Sequence, residues 1–282
     1  MKNIFQLFMV VAISTSIVSC RNDFFEKPID LDIDDHTSKL AGTAFLGIDD
    51  ISNRVMVSYT QGPFENDNNT SQIVQNAHIT LSSDDGDIVF NSTLQNNFYL
   101  ANNPLTFIPN KAYTLTLEAS NYTSISATQV YPESVAILDA SINENTFKIK
   151  FNDNPDKKNY YVLRLFESDG NGGFYEHYIE PFGSLTKESG FCHSCLNFSD
   201  ETFNGEQAFE IGVTNSYFDA SISYKAVLYN VTEDFFRYDN SLLLSEYSQD
   251  NPFVEPVILH RNFENGYGIF GLINKSELLF NP

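Results

Sequence analysis

The sharpest chemical motif in the sequence is a pair of cysteines three residues apart, Cys192-His193-Ser194-Cys195. Thiols at this spacing can form half of a zinc site, a redox pair or a local disulfide. A zinc site needs a second cysteine or histidine pair, whereas the other histidines (36, 78, 177 and 260) are scattered singly. A thioredoxin-like pair opens a helix after a strand, which the flanking residues do not suggest. We therefore predict a disulfide between Cys192 and Cys195, as expected outside the reducing cytosol.

The third cysteine, Cys20, follows an N-terminal apolar stretch. Residues 4–17 are mostly apolar, and Ile17-Val18-Ser19-Cys20 is similar to a bacterial lipobox. The stretch is shorter than the roughly 20 residues that a membrane-spanning helix needs. We expect residues 1–19 to be a lipoprotein signal peptide and Cys20 to be the acylated first residue of the exported protein. The alternative is an ordinary signal peptide that happens to contain a cysteine.

Acyl chains on Cys20 would anchor the protein in outer-membrane lipid. Residues 20–39, which are polar and acidic, would then form a lipidated tether. The charged residues after Cys20, beginning with Arg21, loosely resemble the surface-export signals of Bacteroidota lipoproteins. This resemblance favours the cell surface over the periplasmic face of the outer membrane.

Composition argues against several classes of function. The chain has 37 acidic and 16 basic residues, a formal net charge of −21. Nucleic acids and anionic membrane surfaces bind cationic patches, so we expect neither as a partner. The sequence has no Gly-x-Ser-x-Gly motif, and carboxylates this abundant do not single out a catalytic pair. We therefore predict a protein that is not an enzyme, with no cofactor and no catalytic residues.

An oxygen-rich segment, Asn152-Asp153-Asn154-Pro155-Asp156, is the strongest candidate for a metal-binding loop. Carboxylate and amide oxygens are ligands that calcium accepts in proteins. The same residues also favour a plain turn, because Asx side chains bond to the backbone and proline fixes its own φ. We favour the turn and predict no metal site.

The elements that would position these residues are mostly short strands. Residues 40–131 alternate between apolar and polar, with turn signals such as Asp84-Asp85-Gly86 between the runs. Residues 132–282 repeat this pattern, with a long loop-rich stretch, Pro181–Glu206, that holds the cysteine pair. We predict a mostly β fold of two tandem antiparallel β-sandwiches, similar in strand length to immunoglobulin and fibronectin domains, over residues 40–131 and 132–282.

One helix is predicted in the second sandwich, over residues 232–248. Thr232 suits an N-cap, and the acidic residues that follow it suit the first turn. Aromatic residues recur at near-helical spacing, which indicates packing against the sheet, although one edge could face a partner. The tail at residues 263–271 predicts a glycine-punctuated strand, where glycines favour a bulge or close backbone contact.

The order of these features resembles a known family. A lipobox is followed by a sandwich containing Val74–Leu81, a cysteine pair, an aromatic helix around Phe236-Arg237-Tyr238, then Asn251-Pro252-Phe253 and Gly266–Gly271. This arrangement looks like Bacteroidota lipoproteins that are grouped as a domain of unknown function and often encoded beside a TonB-dependent outer-membrane receptor. The resemblance covers nearly the whole exported chain and brings no catalytic residue with it.

The resemblance implies an accessory role at a transporter. We therefore expect a lipid-anchored outer-membrane protein that partners a TonB-dependent receptor barrel and binds without catalysis. The alternative is an independent surface adhesin or glycan-binding sandwich. Tryptophan, which is common on sugar-binding platforms, is absent, but tyrosine and phenylalanine can stack on sugars as well.

Overall fold

Strands are the main regular element of the structure, which is a computed structural model. It describes residues 36–47, 53–62, 72–89, 92–101, 104–181, 183–192, 194–214, 218–249 and 253–282. Cys20 and the predicted signal peptide lie outside these residues, so both stay predictions. The strands of the first half are β1 (Leu40–Gly47), β2 (Arg54–Tyr59), β3 (His78–Ser83), β4 (Gly86–Val89), β5 (Ser92–Gln95), β6 (Phe98–Ala101), β7 (Ala112–Glu118) and β8 (Ile125–Val130).

The second half has nine strands and one α-helix among the described residues. They are β9 (Ile137–Asn143), β10 (Thr146–Phe151), β11 (Tyr160–Ser168), β12 (Phe174–His177), β13 (Lys187–Glu188), β14 (Cys195–Ser199), β15 (Phe209–Thr214), β16 (Tyr224–Val231), α1 (Glu233–Gln249) and β17 (Tyr267–Phe280). The chain is mostly β with antiparallel sheets, which confirms the predicted fold class. The helix lies within one residue of its predicted bounds.

Alternating side chains explain why these segments are strands. In β7, Tyr113, Leu115 and Leu117 are buried, while the residues between them are half-buried. Successive side chains of a strand point to opposite faces, so this sequence can place one apolar face on a core. The hairpin predicted at Asp84-Asp85-Gly86 is confirmed, because β3 and β4 pair antiparallel with Ser83 opposite Gly86.

Three sheets form the layers. A ten-stranded sheet follows the order β13-β14-β11-β16-β17-β1-β2-β6-β5, and β12 pairs with β11 beside this path. A four-stranded sheet, β4-β3-β7-β8, shares a core with one end of the large sheet. A three-stranded sheet, β15-β10-β9, shares a second core with the other end. Helix α1 contacts the large sheet through a third apolar cluster that includes Tyr160, Tyr229 and Phe235.

The large sheet runs through both predicted sandwiches because β17 belongs to each of them. Its first half pairs in parallel with β1, from Tyr267 to Ile273, and its second half pairs antiparallel with β16. Phe270 and Leu272 lie in the first core, while Leu278 and Phe280 pack against the second. From the sequence we predicted that this tail lies wholly in the second sandwich and that its strand ends at residue 271. In the structure the strand continues to Phe280.

The predicted loop over residues 181–206 contains two strands, β13 and β14. The stretch 181–206 was read as a loop, yet β14 within it is a buried strand that pairs with β11. The strand has only five residues, and two of them are asparagine and serine, so its apolar pattern is too short to predict a strand. No helix among the described residues is long and apolar enough to cross a membrane.

Candidate functional site

Helix α1 holds the cysteine pair in place through a buried carboxylate. Asp239 is fully buried and accepts hydrogen bonds from the Ser189 hydroxyl at 2.8 Å and the Phe191 backbone N–H at 2.6 Å. It also accepts the side-chain amide of Asn197 and the backbone N–H of Gly190. Burial raises the pKa of Asp239, although these four donors act in the opposite direction.

The loop that Asp239 binds carries the two cysteines. Cys192 and Cys195 lie at disulfide distance, with Cα atoms 5.7 Å apart. Gly190 brings the loop against the helix, because a Cβ there would lie 2.6 Å from the Leu243 nitrogen. The bridge therefore closes a short turn at the start of β14, beside α1. His193 lies outside the described residues.

Beyond this loop, α1 and the segment after it expose a set of apolar side chains, which we call the apolar strip. Phe253 is 95% exposed and Ile258 is 89% exposed. The other members are also exposed, on the end of the helix and along the same segment: Leu244, Tyr247, Val254 and Leu259. Single exposed apolar residues are ordinary, but six of them on one helix end and the segment after it make this region a candidate binding surface.

The segment that carries the strip lies along the helix. The backbone N–H of His260 donates to the Ser241 hydroxyl at 2.9 Å, and its ring Nε2 lies 2.7 Å from an Asp234 carboxylate oxygen. The other Asp234 oxygen accepts the amides of Gln129 and Asn262. Burial raises the pKa of Asp234, but these hydrogen bonds together outweigh burial, so the pKa lies below its usual value. The segment therefore contacts α1 through His260, at Ser241, which lies about 12 Å along the helix from its end at Gln249.

A polar groove of about 510 Å³ opens near the other end of the helix. It lies between the end of β8 and the starts of β11 and α1, and amides and carboxylates such as Gln129, Glu133 and Asn230 line it. Its tyrosines, Tyr131 and Tyr160, are buried. Burial and a hydrogen bond to Glu233 raise the pKa of Tyr160 to about 12. The groove therefore presents hydrogen-bonding groups without an exposed tyrosine face.

The Asn152–Asp156 segment forms a turn between β10 and β11, as predicted, with the Asp156 N–H bonded to Asn154 Oδ1 at 3.0 Å. One of its carboxylates, Asp153, is buried rather than solvated. No group of three or more histidine, cysteine, aspartate or glutamate side chains among the described residues is placed to hold a metal ion.

Sequence reasoning missed the apolar strip and the Asp239 clamp. The run Phe253-Val254-Glu255-Pro256-Val257-Ile258 contains a proline and a charge, so it carries no strand signal, and its exposure cannot be read from residue types. Asp239 lies four residues after the buried Phe235 and therefore on the packed face of α1, which is a sequence signal of a buried carboxylate. Its donors could not be predicted, because they come from a loop and a strand that are distant in sequence.

Comparison with known proteins identifies one family. No curated protein matches the chain. The family described as a domain of unknown function, DUF4249, matches residues 26–278. This match spans every strand described above except the last two residues of β17. The chain therefore belongs to the DUF4249 family.

Proposed function

We propose that this protein is a lipid-anchored accessory protein of the outer membrane that binds a TonB-dependent receptor-like barrel. The observation that carries the proposal is the apolar strip at the end of α1. Fully burying a side chain such as Phe253 or Ile258 contributes about 1.5–3 kcal/mol, so the strip holds enough apolar surface for a protein contact. The anchor rests on Cys20, and the class of partner rests on the family resemblance.

The charges around the strip favour a protein partner over lipid. Glu246 is exposed beside Tyr247, and Glu255 is exposed between Val254 and Ile258. The chain as a whole carries a net charge of −21, which opposes approach to anionic head groups. Apolar side chains interrupted by carboxylates suit the core and rim of a protein interface.

The geometry around His260 supports binding without catalysis. A nucleophilic triad requires a hydroxyl within hydrogen-bond reach of a histidine ring nitrogen. His260 and Asp234 are in contact as the base and carboxylate of a triad would be, but the neighbouring Ser241 hydroxyl accepts the backbone N–H of His260 and donates to the Tyr238 carbonyl. The pair therefore fixes the segment that carries the strip.

The double variant Phe253→Ser, Ile258→Ser tests the role of the strip. The wild-type chain, purified from native membranes in mild detergent, should bring an outer-membrane barrel with it. We expect at least a tenfold weaker association for the variant, which corresponds to about 1.4 kcal/mol. Because both side chains are exposed, its free energy of unfolding should stay within about 0.5 kcal/mol of the wild type.

The matched control is Leu279→Ser, since Leu279 is 62% exposed but lies at the end of β17, outside the strip. It should retain the barrel at the wild-type level. Equal barrel recovery by all three proteins, or no barrel with the wild-type chain, would contradict the proposed partner. Glycan binding by the isolated body, unchanged in the double variant, would instead favour the adhesin.

The anchor is tested by replacing Cys20 with alanine. We expect the wild-type protein in the outer-membrane pellet with acyl mass on its first residue, because two or more chains give stable anchoring. The Cys20→Ala protein should lose this mass and leave the pellet. The variant Cys192→Ala, Cys195→Ala is the control, and it should stay in the membrane. A Cys20→Ala protein that stays there by itself would contradict the anchor.

A further inference from the structure

Two buried carboxylates meet where the β10–β11 turn contacts the turn after β14. Asp153 and Asp200 are 2% and 1% exposed. The Gly205 N–H donates to Asp153 at 2.7 Å, and the Asn159 N–H donates to Asp200 at 2.6 Å. No lysine, arginine or histidine among the described residues forms an ion pair with either carboxylate. Two buried negative charges without a cation are costly in free energy.

Four oxygens surround the side-chain nitrogen of Asn159, which lies between these carboxylates. The side-chain nitrogen of Asn159 lies 3.0 Å from the Lys157 carbonyl oxygen and 3.2 Å from that of Asn154. It also lies 3.2 Å from Asp200 Oδ2 and 3.4 Å from Asp153 Oδ1. An amide has two hydrogens, so it can satisfy only two of these four acceptors well.

One further oxygen of the cluster has no partner at all. Asp200 Oδ1 is buried and makes no hydrogen bond among the described residues. Burial raises the pKa of Asp200, and the charge of Asp153 adds to this effect. An orphaned carboxylate oxygen in the interior calls for either a proton or a cation.

We propose that this cluster is a calcium site. Asp153, Asp200 and the carbonyl oxygens of Asn154 and Lys157 would supply the ligands. Asn159 Oδ1, which accepts the Asn230 amide at 3.3 Å, would join them once the Asn159 amide turns over and gives up this hydrogen bond. Calcium takes 6–8 oxygen ligands in irregular geometry, whereas zinc prefers nitrogen and sulfur. Carbonyl oxygens complete a set in which only two ligands are carboxylates.

The site would join two parts of the second core that are distant in sequence. Asp153 already binds the other turn through Gly205, and its own N–H donates to the Glu206 carbonyl at 3.0 Å. Asp200 stands 41 residues after Asn159. A cation held by both carboxylates would therefore stabilise the end of the sandwich that borders the polar groove, where Lys157 and Asn159 are lining residues.

Terbium luminescence of the exported chain provides the test. The chain contains no tryptophan, so excitation in the tyrosine absorption band sensitises terbium through tyrosine. Tyr161 donates a hydrogen bond to Asp153 at 2.5 Å. We expect tyrosine-sensitised emission that calcium displaces and sodium does not. After treatment with a chelator, about 1 mM calcium should raise Tm by about 2–4 °C, for affinity typical of extracellular modules.

The double variant Asp153→Asn, Asp200→Asn should lose both effects. Its control, Asp169→Asn with Asp219→Asn, removes two carboxylates that accept backbone N–H groups in loops outside the cluster, and should keep both. If the double variant does not fold, Asp200→Asn alone takes its place. The proposal is overturned if calcium does not raise the Tm of the wild-type chain, which is the result expected of a cluster that holds only a proton. The same rise in the Asp200→Asn protein overturns it as well.

Discussion

Replacing Gly268 with alanine is expected to destabilise the protein by more than about 4 kcal/mol, or to prevent folding. Gly268 has φ +99°, and it lies opposite Gly42 where β17 pairs in parallel with β1. A Cβ there would overlap the carbonyl oxygen of Gly42 and lie 2.7 Å from its carbon. Neither strand can move away without leaving a core, because Ala44 and Phe270, on the same strands, are fully buried.

The matched control for Gly268 is Gly86→Ala. Gly86 has a similar φ of +117°, but no atom lies within 4 Å of the added Cβ. The Gly86→Ala variant should therefore lose only about 1–2 kcal/mol of unfolding free energy, from backbone strain. Urea unfolding of the wild type and the two variants separates the free-energy cost of backbone strain from that of the steric clash. A Gly268→Ala protein no less stable than Gly86→Ala would show that the β1–β17 pairing does not join the two cores as described.

Replacing Asp239 with alanine is expected to lower the free energy of unfolding by about 3–5 kcal/mol. The carboxylate is fully buried and accepts four hydrogen bonds, from Ser189, Gly190, Phe191 and Asn197. Alanine leaves these donors without an acceptor in the interior. Since the donors hold the loop before the disulfide against α1, proteolysis within residues 189–192 should also become faster.

Two variants calibrate the effect of Asp239. Ser189→Ala removes one of the four donors and should lower the free energy of unfolding by about 1 kcal/mol. Glu246→Ala, on the exposed face of the same helix, should lie within about 0.5 kcal/mol of the wild type. Urea unfolding measures all three. A loss for Asp239→Ala no larger than that for Ser189→Ala would mean that solvent reaches the loop donors, and the clamp would be refuted.

These two positions connect the fold to the proposed function. Gly268 lies where the two cores meet through β17, and Asp239 fixes the cysteine loop against α1. The apolar strip lies on the last turns of this helix and on the segment that His260 ties to it. A partner would therefore meet a surface whose segment is tied to the helix at His260, which reduces the entropy lost on binding.

Strand positions and the helix could be predicted because they depend on local patterns. Alternation in β7 and the turn at Asp84-Asp85-Gly86 each specify structure within a few residues. The glycines of the tail correctly indicated close backbone contact, which Gly268 makes with Gly42. The length of β17 was missed because its second half, Asn274–Phe280, alternates weakly and includes charged residues.

The amino-acid sequence by itself determined the β class, the helix, the disulfide pair and the strongly acidic character of the chain. Each of these follows from composition or from side chains a few residues apart. Only the tertiary structure decided which strand joins the two cores, which aspartates are buried and which apolar residues stay exposed. Those properties depend on groups that are distant in sequence: Gly42 beside Gly268, Asp153 near Asp200, and Ser189 bonded to Asp239.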